Sequence, residues 1–476
     1  MQLLKMSVLT FFLLLAAVPA QGRVFLQWSK SSIPSAESMG VKQLVIRWAP
    51  GNLALMKTAR KRGYQVFAES NPQTAAAAAD AAERNGLAGI IVASASEQPG
   101  QAAINKLVHA LRRSHPGLAV FNLDTGGKQP QIRGNLVVKR DGVLEVSSPT
   151  IQPWIDSNVA LTRFERAYNP GQVPLYTFAW DLTDPVERQE GPRAADYALA
   201  VAEAGAVRAD VILPIHPNLQ KALAEGGKTA WREWNKVKSY IRFYAGIPSP
   251  KTGSWADVAI VAGNYDESYE PMNLLARHNV QFVVMRPAEI TEQRLSRLQL
   301  VILFSRPEDQ ALHTLQTFAS SGGTVVLINQ HGPFPWDPLP AEKTAEGTTY
   351  KVGRGKIVAL AQPVGDPEAF AEDVRGLLNS QSASIYLWNA LTTLGFAYPT
   401  LHGETMIVDL VNYAQEPLQV QVRVRGSYKN VRYDTPGHGF YPAITPEHEN
   451  GFTEFVVPRL EIGGRVYLHS NANPPK

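Results

Sequence analysis

The chain has 476 residues, and its 46 Lys plus Arg nearly balance 42 Asp plus Glu, with the charges scattered. No basic tract with interleaved aromatics occurs, so the electrostatic footprint of a nucleic-acid binder is missing and no nucleic-acid partner is expected. Cysteine is absent, which rules out disulfides, a lipidated Cys anchor and a thiol nucleophile.

Met1–Lys5 is positively charged, Met6–Val18 is apolar, and Val18-Pro19-Ala20 ends in a small residue. That pattern predicts a signal peptide over 1–20, cleaved after Ala20, and a secreted or periplasmic protein. The apolar run is shorter than the roughly 20 residues a membrane span needs. No other stretch approaches that length, so no span is expected after cleavage. At about 150 residues per domain, the remainder suggests three domains.

From 21 to 250 short apolar strands alternate with helical stretches. Strands are predicted at Leu44–Trp48, Gln65–Ala68, Gly89–Val92, Ala119–Asn122, Leu175–Ala179 and Val211–Leu213, with a further candidate at Val24–Trp28. They are continuously apolar rather than alternating, as parallel strands covered on both faces require. Helices are expected over Asn52–Arg62, Thr74–Asn85, Gln101–Ser114 and Pro192–Ala206, with Trp231–Tyr244 closing the set. Such repetition predicts a parallel (β/α)8-like barrel, complete or irregular. Asn135–Ser148 interrupts it with an Asp141-Gly142 hairpin signal.

A Pro- and Gly-rich linker, Gly246–Gly253, leads into a second α/β unit over 254–380. Its strands Val258–Ala262, Val280–Met285, Leu300–Phe304 and Thr324–Ile328 alternate with helices Tyr269–His278 and Pro307–Ser320, the pattern of a flavodoxin-like doubly wound domain. Tyr350–Leu360 and a helix at Asp366–Leu378 complete it. From 382 to 476 the period becomes two. Ile385–Leu391, Met406–Tyr413, Leu418–Val424, Val431–Tyr433, Phe452–Val457 and Arg465–His469 predict an antiparallel β-sandwich.

This order of units resembles the family 42 glycoside hydrolases, in which a barrel precedes a glutamine-amidotransferase-like domain and a β-domain. The segments that carry the likeness are Phe318-Ala-Ser-Ser-Gly-Gly-Thr-Val-Val-Leu-Ile, Val352-Gly-Arg-Gly-Lys-Ile-Val-Ala-Leu and Val408-Asp-Leu-Val-Asn-Tyr413. The resemblance implies a carbohydrate substrate or ligand and a carboxylate-based hydrolysis. Two departures matter. The family's Asn-Glu acid/base pair has no counterpart in the barrel, and the amidotransferase-like unit has no Cys nucleophile. That unit is therefore read as structural, a surface for a homo-oligomer.

Functional groups of a barrel gather at the C-terminal ends of its strands. Glycoside hydrolysis needs two carboxyl groups flanking one bond. Glu69, Asp181, Asp124 and Glu145 qualify as catalytic candidates, with Glu69 and Asp181 favoured because each follows an unbroken apolar strand. Arg47, Trp48, Asn122, Trp180 and His216 lie at other strand ends, and Trp154, Asp156 and Asn158 cluster before a helix as a stacking face with two hydroxyl partners. The competing reading makes the acids helix caps or Arg partners, and makes the Trp and His residues packing groups. No cofactor is expected, and no His-Glu-x-x-His or close ligand spacing predicts a metal. A non-catalytic glycan-binding or envelope scaffold protein with a degenerate barrel is the alternative to a hydrolase.

Overall fold

The computed structural model describes residues 22–470, apart from 95–100, 125–132, 141–142, 147–152, 171, 178–179, 181–188, 246–252, 401–403, 415 and 443. The expected signal peptide lies outside the described residues.

Seven parallel strands form the first sheet: β1 Val24–Gln27, β2 Gln43–Arg47, β3 Gln65–Ser70, β4 Gly89–Ser94, β5 Ala119–Asp124, β9 Leu175–Tyr176 and β10 Asp210–Pro214. Their order is β5-β4-β3-β2-β1-β10-β9. Each strand contributes one residue to a common interior: Phe25, Val45, Phe67, Ile91, Leu123, Leu175 and Ile212. The sheet therefore curls into a nearly closed barrel, filled by side chains rather than hollow. Phe25, Phe67 and Phe121 pack edge to face, with centroids 5.1, 5.8 and 5.9 Å apart. The odd-numbered residues of β1–β5 share the inward direction, because side chains alternate along a strand.

The interruption seen in the sequence is an antiparallel sheet of β6 Arg133–Arg140, β7 Val143–Val146 and β8 Pro153–Asp156, in the order β7-β6-β8. It is inserted in the chain between β5 and the helix Val159–Tyr168.

The second unit contains β11 Val258–Val261, β12 Phe282–Met285, β13 Leu300–Leu303, β14 Thr324–Ile328, β15 Ala341–Lys343, β16 Gly347–Val352 and β17 Gly355–Leu360. The order β12-β11-β13-β14-β17 is all parallel and is the 2-1-3-4-5 order of flavodoxin-like sheets; β16 and β15 extend it antiparallel. Alternate residues of β11 belong to different cores, Val258 and Ile260 to one and Ala259 and Val261 to the other, so both faces are covered. At Gly355 only glycine fits: a Cβ there would stand 2.1 Å from the Gly323 carbonyl oxygen.

The third unit is an antiparallel sandwich with sheet orders β18-β21-β25-β24 and β19-β20-β26-β22-β23. The strands are β18 Ile385–Trp388, β19 Thr393–Pro399, β20 Thr405–Asn412, β21 Leu418–Arg425, β22 Asn430–Thr435, β23 Gly439–Phe440, β24 Glu447–Glu449, β25 Phe452–Leu460 and β26 Gly463–His469. The sequence reading missed β19. Its Gly395 and terminal Pro399 look like loop residues, yet Leu394, Phe396 and Tyr398 fill the seam against the other units. Tertiary burial overrides the weak local preference.

The helix Ala194–Ala206 joins barrel to sandwich. Every residue from Tyr197 to Ala206 is buried, as expected of a helix covered on all sides. One carboxylate is embedded in it. Glu203 accepts from Tyr413 Oη at 2.6 Å, Asn158 Nδ2 at 2.6 Å and Tyr176 Oη at 3.1 Å, so residues of both the barrel and the sandwich meet on it. Beyond the helix end, Asp409 of β20 pairs with Arg208 at 2.6 Å and Arg465 at 2.8 Å, all three buried.

Candidate active site at the barrel mouth

Inward-facing side chains at the C-terminal ends of β1, β2 and β3 are Gln27, Arg47 and Glu69, each two residues beyond an interior residue. Arg47 and Glu69 stand opposite each other in the β2–β3 register. Gln27 Nε2 donates to Glu69 Oε2 at 2.8 Å, which fixes one carboxylate oxygen. The other oxygen has no hydrogen-bond partner among the described residues. Arg47 is exposed, and its guanidinium has no ion-pair partner among the described residues. A carboxylate held by one neutral donor, beside a free cation, can take or give a proton and orient a hydroxyl-bearing ligand.

The remaining candidates are distributed more widely. Asp124 ends β5, Glu145 lies in β7 opposite Val138 of β6, and Trp154 and Asp156 lie in β8 opposite Asn135 and Arg133. The side chains of these four lie outside the described part of the structure. Asp181 also lies outside the described residues. Trp48 and Asn122 follow inward-facing neighbours and so point away from the barrel interior. Trp48 packs against the outer core. Asn122 Nδ2 donates to Asn105 Oδ1 of the helix Gln101–Ser114 at 3.4 Å.

Three further candidates are engaged by the fold itself. Asn158 is fully buried and bound to Glu203, so its amide is not offered at the mouth. Trp180 Nε1 donates to the Pro214 carbonyl at 2.7 Å, and its ring meets Tyr197 edge-on at 5.0 Å. His216 caps the helix Pro217–Ala224, its Nδ1 accepting from the Asn218 amide at 3.4 Å. Gly191, with φ 86°, lets the His216 ring lie against the backbone, where a Cβ would stand 2.5 Å from Cγ.

Sequence reasoning did not single out Glu203, Arg208 or Asp409. Burial raises the pKa of the Glu203 carboxyl, while the four hydrogen bonds it accepts pull the other way. A perturbed buried acid is often functional. Here the donors close around it and the residue sits in an outer helix, so the group joins the barrel to the sandwich. A glutamate inside the apolar run Tyr197–Ala206 was the available signal.

His278, Glu368 and Glu372 bring ligand-capable atoms within 4.8 Å of one another. Glu368 already pairs with Arg277 at 3.5 Å and His278 at 3.0 Å, so a metal ion there would have to compete with a guanidinium.

No protein-family model matches the chain, and no curated protein does. Solved structures match throughout. An α-L-fucosidase isoenzyme from Paenibacillus thiaminolyticus aligns over 95% of this chain and 100% of its own, with a TM-score of 0.57 at 12% identity. A β-galactosidase from Rahnella sp. R3 covers 89% and 94% (TM-score 0.48, 10% identity), and one from Bacillus circulans sp. alkalophilus covers 87% and 66% (TM-score 0.42, 12% identity). At 12% identity the fucosidase alignment shows a shared fold, a nearly closed parallel barrel followed here by a mixed sheet and a sandwich. No helix among the described residues is long and apolar enough to cross a membrane.

Proposed function

We propose that this chain is an exported glycoside hydrolase-like protein acting on an oligo- or polysaccharide through paired carboxylates at the barrel mouth. The observation that carries the reading is Glu69, an inward-facing carboxylate at a strand's C-terminal end, tethered by Gln27 and flanked by Arg47. Glu69 is one member of the pair and Arg47 binds substrate hydroxyls. Asp181 is the favoured second carboxyl, because it follows β9, which three strands separate from β3 one way around the ring and two the other. Asp124 and Glu145 are the alternatives, and Trp154 the stacking face. One carboxyl protonates the leaving oxygen while the other attacks or activates water; their separation decides between retention and inversion.

The shortness of β9, two residues, favours a second reading, a glycan-binding protein with a degenerate barrel. The test is activity of the chain from Gln21 onward on a panel of glycans and aryl glycosides, beside the double variant Glu69→Gln, Asp181→Asn. Turnover that vanishes in the variant supports the hydrolase. Saturable glycan binding without turnover favours the binder, and turnover unchanged in the variant overturns the mouth assignment. The mixed-sheet unit is read as a glutamine-amidotransferase-like scaffold supporting a homo-oligomer; a strict monomer by light scattering would overturn that role.

A further inference from the structure

Away from the mouth, where the barrel, the mixed sheet and the sandwich meet, lies a cavity of ≈ 320 Å³. Arg163 and Arg166, one turn apart on the helix Val159–Tyr168, line it together with Arg208, Arg294, Phe282 and Tyr398. No Asp or Glu lines it. Such a concentration of one sign of charge around a partly open cavity focuses a positive potential there.

The four guanidinium groups are not equally satisfied. Arg208 is paired with Asp409, and Arg294 with Glu289 at 3.0 Å. Arg166 Nη2 donates to the carbonyls of Val207 and Arg208, both at 3.0 Å, and meets no carboxylate. Arg163 is the exception. Its guanidinium carbon lies 4.2 Å from the Phe282 ring centroid and 5.8 Å from that of Phe396, and Nη1 is buried with no hydrogen-bond partner. Burial, reinforced by repulsion from Arg166, lowers its pKa to about 10. A half-buried guanidinium whose Nη1 is out of reach of water and lacks an acceptor is poorly satisfied unless an anion completes it. The planar fork matches a carboxylate or phosphate, and ring stacking leaves the in-plane N–H groups free to donate.

We propose that this cavity binds a small oxyanion, a carboxylate or phosphate group gripped by Arg163 and Arg166. The ligand would touch elements of all three units, since Phe282 and Arg294 come from the mixed-sheet unit and Phe396 and Tyr398 from β19. Its binding therefore stabilises their mutual packing by mass action. The proposal does not depend on the reading of the barrel mouth.

The test is calorimetric titration of the full chain with inorganic phosphate and, separately, with malonate, at ionic strength held constant with sodium chloride. One-to-one saturable binding of either anion is expected, with a melting temperature raised by about 4 °C at a hundredfold excess over Kd. Phosphate alone would mark a phosphate site; malonate alone would mark a carboxylate site. Arg163→Met, which keeps the apolar stem between the two rings, is expected to weaken binding at least tenfold. Arg294→Ala, at the exposed rim, is expected to weaken it about threefold and serves if the first variant does not fold. Absence of saturable binding by both anions, or affinity unchanged in both variants, would overturn the proposal.

Discussion

The barrel mouth and the seam between barrel and sandwich use the same residue types in opposite ways. At the mouth, among the described residues, Glu69 has one neutral donor and the exposed Arg47 has no ion-pair partner. At the seam, Glu203 receives Tyr413, Tyr176 and Asn158, and Asp409 is clamped between Arg208 and Arg465, all out of contact with water. Charges whose hydrogen-bonding capacity the fold uses up at the seam thus stand apart from charges whose capacity it leaves over at the mouth. A charge that is fully partnered in the resting protein has little left to offer a substrate.

The largest effect expected on this comparison is at the seam. Asp409→Ala leaves two buried guanidinium groups facing each other and should lower stability by about 3–5 kcal/mol, read as a fall in urea midpoint. A loss below about 1 kcal/mol would mean that water reaches the seam. Glu69→Gln should do the reverse. Turnover on a substrate found in the panel is expected to drop by roughly a thousandfold, about 4 kcal/mol in barrier, with the melting temperature unmoved. Equal damage to stability and turnover would erase the distinction between the two regions.

Smaller changes sharpen it. Glu203→Ala strands the donors that converge on it and should lower stability by about 2–3 kcal/mol. Glu203→Gln tests its charge. Because burial raises the folded-state pKa above the unfolded value, the native state binds the extra proton. The stabilising contribution of that proton is present below the unfolded value near pH 4.3 and is lost as pH rises through the folded value. The Gln variant should lack that decline in a pH series of unfolding curves; an identical decline would assign it to another group. Arg47→Ala should raise KM about tenfold, roughly 1.4 kcal/mol, with kcat nearly kept. A fall in kcat alone would give Arg47 a part in the chemical step.

Most strands were legible because their local chemistry agrees with their environment. The apolar runs at Leu44–Ile46, Gly89–Val92 and Val258–Val261 are unmistakable, and Asp141-Gly142 announced its hairpin. The position of Glu69 at a strand end was legible by the same route, from the apolar run before it. Its inward direction followed only from the shared interior of Phe25, Val45 and Phe67. The strand-end rule could not separate it from Trp48 or Asn122, which occupy equivalent positions in sequence and face the helices instead.

What the sequence by itself determined, then, is the order of units, the parallel and antiparallel character of the sheets and a short set of strand-end acids. All of these depend on neighbours within a few residues, through periodicity and turn chemistry. Tertiary structure alone decided that β19 is a strand, that Asn158 serves Glu203, and that Arg163 and Arg166 share a cavity with Arg208 and Tyr398. Those outcomes join residues tens to hundreds of positions apart. Long-range burial sets them, and no local pattern encodes which distant partner will cover a given side chain.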